Sequence, residues 1–563
     1  MSLSSFFAAR LAALRFRPRL LAHVGAYSRQ DFVADLGAGI TVSVVALPLA
    51  MAFGIASGVR PDQGLVTAIV AGLLISALGG SRVLIGGPAG AFVALLYTVA
   101  EKYGVANLMI ATMMAGVLLF AMGALRLGGL VRFVPVSIII GFTAGIAIVI
   151  ATSQLKDFLG LAIAKVPSNF FSQLAAVGGA LHTVNVAALA IGASSLLLIV
   201  LWPVSYRAQP SRWRHIVAKF PSTLVVLVVW SILVWLFELR VETIGSRFGA
   251  LPRALPMPAM PAFDWQTVQG LVAPTLAIAL LCAIESLLCA RMADGMIQDR
   301  HDPNQELMAQ GIANFVVPWF GGIAAAGTIA RTVTNVRSGA RSPMAGIMHA
   351  LALLAILMAA APLAAHVPLA ALAAILLWVA YSMADWREFA RLRQFSPFYR
   401  TTLLTTFVLT VVFGMVVAVE VGLVLSSLFF IYRVSSLTTV EEIVLPTEAG
   451  GAGRVVAYRL FGSLFFGSVV KLEHLIDPQR EQAAVTILEM HQLINLDTTG
   501  LDALESLHAL IVKRGGRLIL AGLNEQPRSL AVRSGFAARL GEENLLPSLE
   551  AALADLSGGR RAT

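Results

Sequence analysis

The chain has 563 residues, 58% of them hydrophobic and only 13% charged, with a net charge of +10. Soluble domains carry about 25% charged residues, so this composition excludes a soluble protein and defines a polytopic membrane protein. The two cysteines, Cys282 and Cys289, share a helix face and cannot bridge each other, and no Cys/His metal spacing is present, so neither a disulfide framework nor a metal centre is expected.

In chain order, residues 1–32 form a basic amphipathic stretch with Arg10, Arg15, Arg17, Arg19 and Arg29. No small-residue cleavage site follows a continuous apolar core, so it reads as a segment resting on the cytoplasmic surface rather than a secretory signal. From 33 to 433 apolar runs recur, among them 33–59 with only Asp35 charged, and 103–125 and 133–155 with no charge. Each is long enough to cross roughly 30 Å of hydrocarbon as a helix. About fourteen segments are predicted, two of them short or broken.

The breaks come in matching places. The first half, 33–240, contains "GGSRVLIGGPAGAFVALL" (79–96), where Gly86, Gly87 and Pro88 interrupt the helix. The second, 266–433, contains "FGGIAAAGTIARTVTNVRSGAR" (320–341), where Gly327 opens a short polar segment. Paired interruptions are the sequence mark of an inverted-repeat transporter. The N-termini of two half-helices then face each other, and their free N–H groups and positive dipole ends suit an anion.

"APTLAIALLCAIESLLCARMADG" (273–295) holds one acid, Glu285, inside an otherwise apolar run. A carboxylate there costs about 2.5–3.5 kcal/mol on insertion scales, and such residues are functional by default. An anion entering beside an ionised Glu285 meets repulsion; beside a protonated one it does not. Proton coupling is therefore expected, with a structural ion pair to Arg291 or Arg331 as the alternative. The cysteines flanking Glu285 are read as small packing residues.

Arginines crowd the loops after even-numbered segments, at Arg207, Arg212, Arg214 and Lys219, and at Arg387, Arg391, Arg393 and Arg400. Arg60, Lys102, Lys156 and Lys165 are spread thinly over the others, and the third odd loop, with Arg240, Arg247 and Arg253, fits the pattern least. Both termini are therefore expected to be cytoplasmic, with the protein in the inner membrane. After a linker at 434–454, residues 455–557 alternate like a soluble α/β domain, with a tail at 558–563. "VVAYRLFGSLFFG", "AAVTILEM" and "RLILAG" read as strands, and a helix capped by Asp497 or Thr498 stops at Gly515. From 455 onward 11 Lys/Arg face 12 Asp/Glu, so the basic excess belongs to the membrane loops. Nucleic acid is not an expected partner.

Three stretches carry a resemblance. "ADGMIQDRHDPNQELMAQGIANFVVPWFGGIAAAGTIARTVTNVRSGARSP", with Asn304, Gln305 and Glu306, is similar to the signature and tenth segment of the SulP (sulfate permease) family. "DFVADLGAGITVSVVALPLAMAFGIASGV" is similar to its first segment. "LDTTGLDAL" stands where the family's STAS domain has its Asp-Ser-Ser-Gly turn. The resemblance implies a 7+7 inverted repeat of fourteen segments in core and gate domains, a cytoplasmic α/β STAS domain and a homodimer moving its anion by an elevator motion. It places the anion between Gly87, Pro88 and Ala89 on one side and Thr328, Ile329, Ala330 and Arg331 on the other, with Phe53 as an apolar wall. Thr498 and Thr499 stand where a regulatory turn would lie. Two departures, Leu49 beside Pro48 and Ala330 before Arg331, remove side-chain polarity from this seat.

The expected function is proton-coupled uptake of a small anion across the bilayer, sulfate by family default. Bicarbonate or a C4-dicarboxylate such as fumarate is the alternative substrate, and an uncoupled exchanger or channel the alternative mechanism. A membrane sensor and a nucleobase permease of the same fold fit less well. No nucleophile–base set, metal set or Walker loop suggests an enzyme, and no cofactor is expected.

Overall fold

The computed structural model describes residues 16–24, 27–129, 135–163, 166–167, 169–202, 221–261, 265–445, 454–472 and 483–558. Arg10, Arg15, Lys165, the loop cations Arg207, Arg212, Arg214 and Lys219, and nearly all of the C-terminal tail lie outside the described residues. The chain divides into two compact units, Met1–Leu423 and Val424–Thr563.

Among the described residues, fourteen apolar segments run in order through the membrane unit and end in its last helix. The first seven are α1 (Arg29–Ala56), α2 (Pro61–Leu78), the two-residue strand β1 (Gly86–Gly87) leading into α3 (Val93–Tyr103), α4 (Val105–Ala124), α5 (Val136–Leu159), α6 (Val186–Leu201) and α7 (Ser222–Phe237). The second seven are α8 (Val272–Ile297), α9 (Pro303–Val316), strand β2 (Ala326–Gly327) leading into α10 (Ile329–Arg337), α11 (Met344–Ala364), α12 (Leu369–Met383), α13 (Pro397–Phe413) and α14 (Met415–Leu437). Six of these helices are long and apolar enough to cross a membrane.

Local sequence sets the boundaries. Ser28 and Asp31 form a capping box that starts α1. Asp302 accepts from the Asn304 and Gln305 amides to start α9, with Pro303 at the first helical position. Gly104 and Gly414, at φ 87° and 85°, each reverse the chain in a single residue between consecutive helices. A side chain at that φ would be strained.

The two halves pack reciprocally. α4 lies on α8 and α9, while α11 lies on α1 and α2. α5 packs on α13, and α12 on α6, with α5 and α12 facing each other. This exchange of equivalent partners is the inverted repeat, and it sorts α1–α4 with α8–α11 as the core and α5–α7 with α12–α14 as the gate. Glycines allow the tight crossings: a Cβ on Gly116 of α4 would lie 2.5 Å from the Phe315 amide nitrogen and 2.7 Å from the Gly311 carbonyl. Asp35, the one acid in the first run, is fully buried. Its carboxylate accepts from the Arg341 and Ser342 amides at 2.7 and 3.2 Å, from the Ser342 hydroxyl at 2.6 Å and from the Tyr27 hydroxyl at 3.0 Å. Four donors compensate the lost hydration of the charge, pinning the start of α1 to the turn before α11.

The second unit holds a six-stranded sheet. β3 (Thr439–Ile443), from the stretch read as a linker, runs antiparallel to β4 (Val455–Leu464). β4 pairs in parallel with β5 (Val485–Glu489) and β6 (Leu493–Leu496), and β5 with β7 (Arg517–Ala521), beyond which lies β8 (Leu545–Leu546). α15 (Thr498–Lys513) is capped by Asp497, whose Oδ1 accepts from the Gly500 amide at 2.8 Å and whose Oδ2 accepts from Phe466 at 3.3 Å. The helix ends before Gly515, which sits at φ 77°. Losing such a cap costs about 1 kcal/mol, so Asp497→Ala is expected to speed amide exchange across the first turn of α15 roughly fivefold. Exchange measured by mass spectrometry on the intact protein checks this; an unchanged rate would show the cap to be redundant.

Candidate functional site

The two helix breaks meet. β1 and β2 pair antiparallel at the centre of the membrane unit, Gly86 opposite Gly327 and Gly87 opposite Ala326. Just beyond β2, the Thr328 amide and hydroxyl both donate to the Ile85 carbonyl, at 2.9 and 3.0 Å. After β1 the chain makes a short 3-10 turn at Gly90–Phe92 and enters α3; after β2 it enters α10 directly. Both half-helices therefore start at the crossing. Their first amides have no intrahelical acceptor, and each terminus carries about half a positive charge.

A shell of buried polar side chains fixes this irregular backbone. Asn314 of α9 accepts from the Ala325 amide at 2.8 Å and donates to its carbonyl at 2.9 Å. Ser286 of α8 accepts from the Gly327 amide at 3.0 Å, Thr67 of α2 from Ile323 at 2.8 Å and Thr332 of α10 from Ile85 at 3.0 Å. Asn335 donates to the Val83 carbonyl at 2.9 Å. Both cysteines join in: the Cys282 thiol donates to the Ala325 carbonyl at 3.2 Å and Cys289 to the Thr332 hydroxyl at 3.3 Å. They are hydrogen-bonding as well as packing residues. Non-helical backbone at membrane depth persists only where its polar groups are satisfied in this way. Of these anchors only the two cysteines were singled out in the sequence, and those as packing residues. A hydroxyl or amide in an apolar helix gives no local sign of which backbone it will meet.

Arg331, one turn into α10, points back to the crossing. It is 1% exposed, and neither Nη1 nor Nη2 has a hydrogen-bond partner among the described residues. The guanidinium lies so close to Gly87 that a Cβ there would sit 2.1 Å from Nη1. Gly87, Ala89, Thr328 and Arg331 are buried at the crossing, whereas Ile329 and Ala330 at the start of α10 are exposed, Ile329 by 48%. Phe53 of α1 reaches the first turn of α3: a Cβ on Gly90 would lie 3.2 Å from its ring and 2.8 Å from the sulfur of Met383. Met383, on gate helix α12, is a seat neighbour that the sequence did not reveal.

Glu285 lies on α8 beside Ser286, hence at the level of the crossing, and is 8% exposed. It forms neither a hydrogen bond nor an ion pair with the described residues, so the alternative pairing with Arg291 or Arg331 is not present in this structure. The Asn-Gln-Glu signature stays out of the seat. Asn304 accepts from Gly128 at 3.0 Å, and Gln305 donates to the Leu78 carbonyl at 2.6 Å. Glu306 accepts from the Gly80 and Ser81 amides at 2.9 and 3.2 Å. Gln305 and Glu306 clamp the turn that leads into β1, and Asn304 holds the chain just after α4. In the second unit, Thr498 and Thr499 are exposed on the first turn of α15.

Two half-helices meeting at a strand crossing, within reciprocally packed repeats, define an inverted-repeat membrane anion transporter. The sulfate permease family model matches residues 32–406 and the STAS domain model residues 447–552. The chain belongs to the sulfate permease family. It is 40% identical to YvdB of Bacillus subtilis, a candidate sulfate transporter by name, over 92% of this chain and 96% of that one. It is 30% identical to the bicarbonate transporter BicA of Synechocystis, over 89% and 90%. The transmembrane domain of a cyanobacterial BicA superposes with a TM-score of 0.63 at 32% identity, covering 70% of this chain and 98% of that one. Murine Slc26a9, an anion transporter solved in its inward-facing state, shares the fold with a TM-score of 0.84 at 17% identity, over 96% and 94%.

Proposed function

We propose that the protein couples the uptake of a small dianion, sulfate, to protons, with Arg331 and the N-termini of α3 and α10 forming the anion seat and Glu285 carrying the proton. The supporting observation is the buried guanidinium, with two unpartnered nitrogens, aimed at the point where the two half-helices begin. Gly87, Pro88, Ala89, Thr328, Ile329 and Ala330 supply the backbone of the seat, and Phe53 closes its apolar side.

Charge arithmetic favours coupling. Two helix termini at about +0.5 each and one guanidinium give the seat roughly +2. A dianion is matched when Glu285 is protonated. Ionised, Glu285 reduces the seat to about +1, which suits a monoanion such as bicarbonate. That is the second reading, and the relatedness to BicA and the reduced polarity at Leu49 and Ala330 favour it. In either case the core, bearing the anion, moves against the gate in an elevator motion, past the contact of Gly90 and Phe53 with Met383. The arginine-rich loops after even segments support a cytoplasmic position for both termini. The active form is a homodimer, and Thr498 and Thr499 offer exposed hydroxyls for control of the STAS domain.

Uptake of labelled sulfate, bicarbonate and fumarate into proteoliposomes, with and without an inward proton gradient, tests the proposal. Sulfate should accumulate only with the gradient, and faster as the outer pH falls. Glu285→Gln should make sulfate uptake independent of pH over the same range while changing sulfate binding less than about threefold. Sulfate uptake by Glu285→Gln that still rises on acidification would assign the proton to another group.

A further inference from the structure

One face of α2 is a stripe of small residues, Ala68, Gly72 and Ser76, each a helical turn from the next. Against this stripe lie three polar groups with unpartnered atoms. At the first level, the Arg331 guanidinium and Gly87 meet α2 at Ala68, whose Cα is 3.5 Å from the position of a Cβ on Gly87. At the next, a Cβ on Gly72 would lie 3.4 Å from the Gly86 carbonyl and 4.0 Å from His349 Nε2. At the third, the Ser76 hydroxyl packs over Gly346, so closely that a Cβ there would be 2.0 Å from it. His349 is completely buried on α11, and among the described residues neither ring nitrogen has a hydrogen-bond partner; the Ser76 hydroxyl has none either.

The imidazole and the carbonyl of Gly86, the residue that pairs with Gly327, thus both meet α2 at Gly72, one helical turn along from Ala68, where Gly87 and the seat guanidinium lie. Leaving a buried polar group unsatisfied costs about 1–3 kcal/mol, and buried water is the usual remedy where two to four polar atoms converge. The charged groups on the surrounding elements are Arg331 and Arg337 on α10 and Arg29, Asp31 and Asp35 on α1; α2 carries only Asp62, in its first turn. Asp35 is already engaged by Tyr27, Arg341 and Ser342.

Resting on the reading of Arg331 as the anion seat, we propose that His349 is a positioning residue, joined through buried water to the Gly86 carbonyl and the Ser76 hydroxyl. Its hydrogen bonds hold the strand crossing in register, so that Gly87 stays under the guanidinium and Arg331 faces the anion. His349 does not touch the anion, and its effect is on affinity.

The test compares His349→Leu, which keeps volume but loses both nitrogens, with His349→Gln, which keeps a donor and an acceptor. Binding and uptake of labelled sulfate, with bicarbonate as second probe, are measured on the full chain, and Arg331→Gln is the control for the seat. His349→Leu should raise Kd and KM about tenfold at unchanged Vmax, with a Tm no lower than that of the parent protein. His349→Gln should recover Kd to within about threefold. A Kd for His349→Leu equal to the parent's, or equal weakening by Leu and Gln, overturns the positioning role. An unchanged Kd in Arg331→Gln overturns the seat itself.

Discussion

Arg331→Gln is expected to abolish saturable sulfate uptake while leaving the protein folded and in the membrane. The guanidinium is buried without a partner among the described residues, so its removal breaks no ion pair seen there and strands no counter-charge. The loss falls on the ligand. Truncating one member of a buried charged pair costs about 2–5 kcal/mol, which is roughly 30-fold to 5,000-fold in affinity. Arg331→Lys should restore little, because an ammonium cannot present the planar, forked donors that Gly87 leaves room for. Equilibrium binding of labelled sulfate to the purified variants provides the measurement. Binding within threefold of the parent in Arg331→Gln would remove this arginine from the seat and leave the helix termini to hold the anion unaided.

Gly87→Ala carries the second large effect, through a single methyl group. Its Cβ would lie 2.1 Å from Arg331 Nη1 and 3.3 Å from the guanidinium carbon. The stiff neighbours on the other side, Ala68 and the β1–β2 pairing, give no room to retreat, so the guanidinium must leave the crossing. Overpacking of this kind costs about 1–3 kcal/mol, and transport should fall roughly 10- to 100-fold. A double variant checks the cause. Since both changes act on the same guanidinium, Gly87→Ala combined with Arg331→Gln should bind no worse than Arg331→Gln alone. Additive losses would mean that the methyl disrupts the strand crossing independently of the arginine.

Much of the architecture was legible in the chain. Fourteen apolar segments, the repeat division and the two interruptions follow from hydropathy and from Gly and Pro placement, because a bilayer forces nearly every segment to satisfy its backbone within itself. The strands and capped helix of the C-terminal unit follow from alternation and from Asp497. β3 was not anticipated: its five residues include two glutamates on a half-exposed sheet edge, so no period-2 apolar pattern marks them.

The site was legible only in part. Glu285 declares itself by being an acid in an apolar run, whereas Arg331 was singled out only through the family resemblance. The contacts that give these residues meaning cross long sequence separations, as in Ser286 to Gly327, Thr328 to Ile85 and Met383 to Gly90. His349 reads in the sequence as one polar residue in "MAGIMHALALL" and nothing more.

The sequence alone thus determined that the chain is a membrane protein built as two interrupted repeats with a soluble α/β unit after them, since composition and periodicity are local properties that the bilayer filters directly. Tertiary structure alone decided that Gly86 and Gly327 pair and that, among the described residues, the Arg331 guanidinium above Gly87 is left without a partner and Glu285 without a counter-ion. Those outcomes depend on which side chains meet across helices some 250 residues apart, and no local pattern encodes the close approach that only glycine permits.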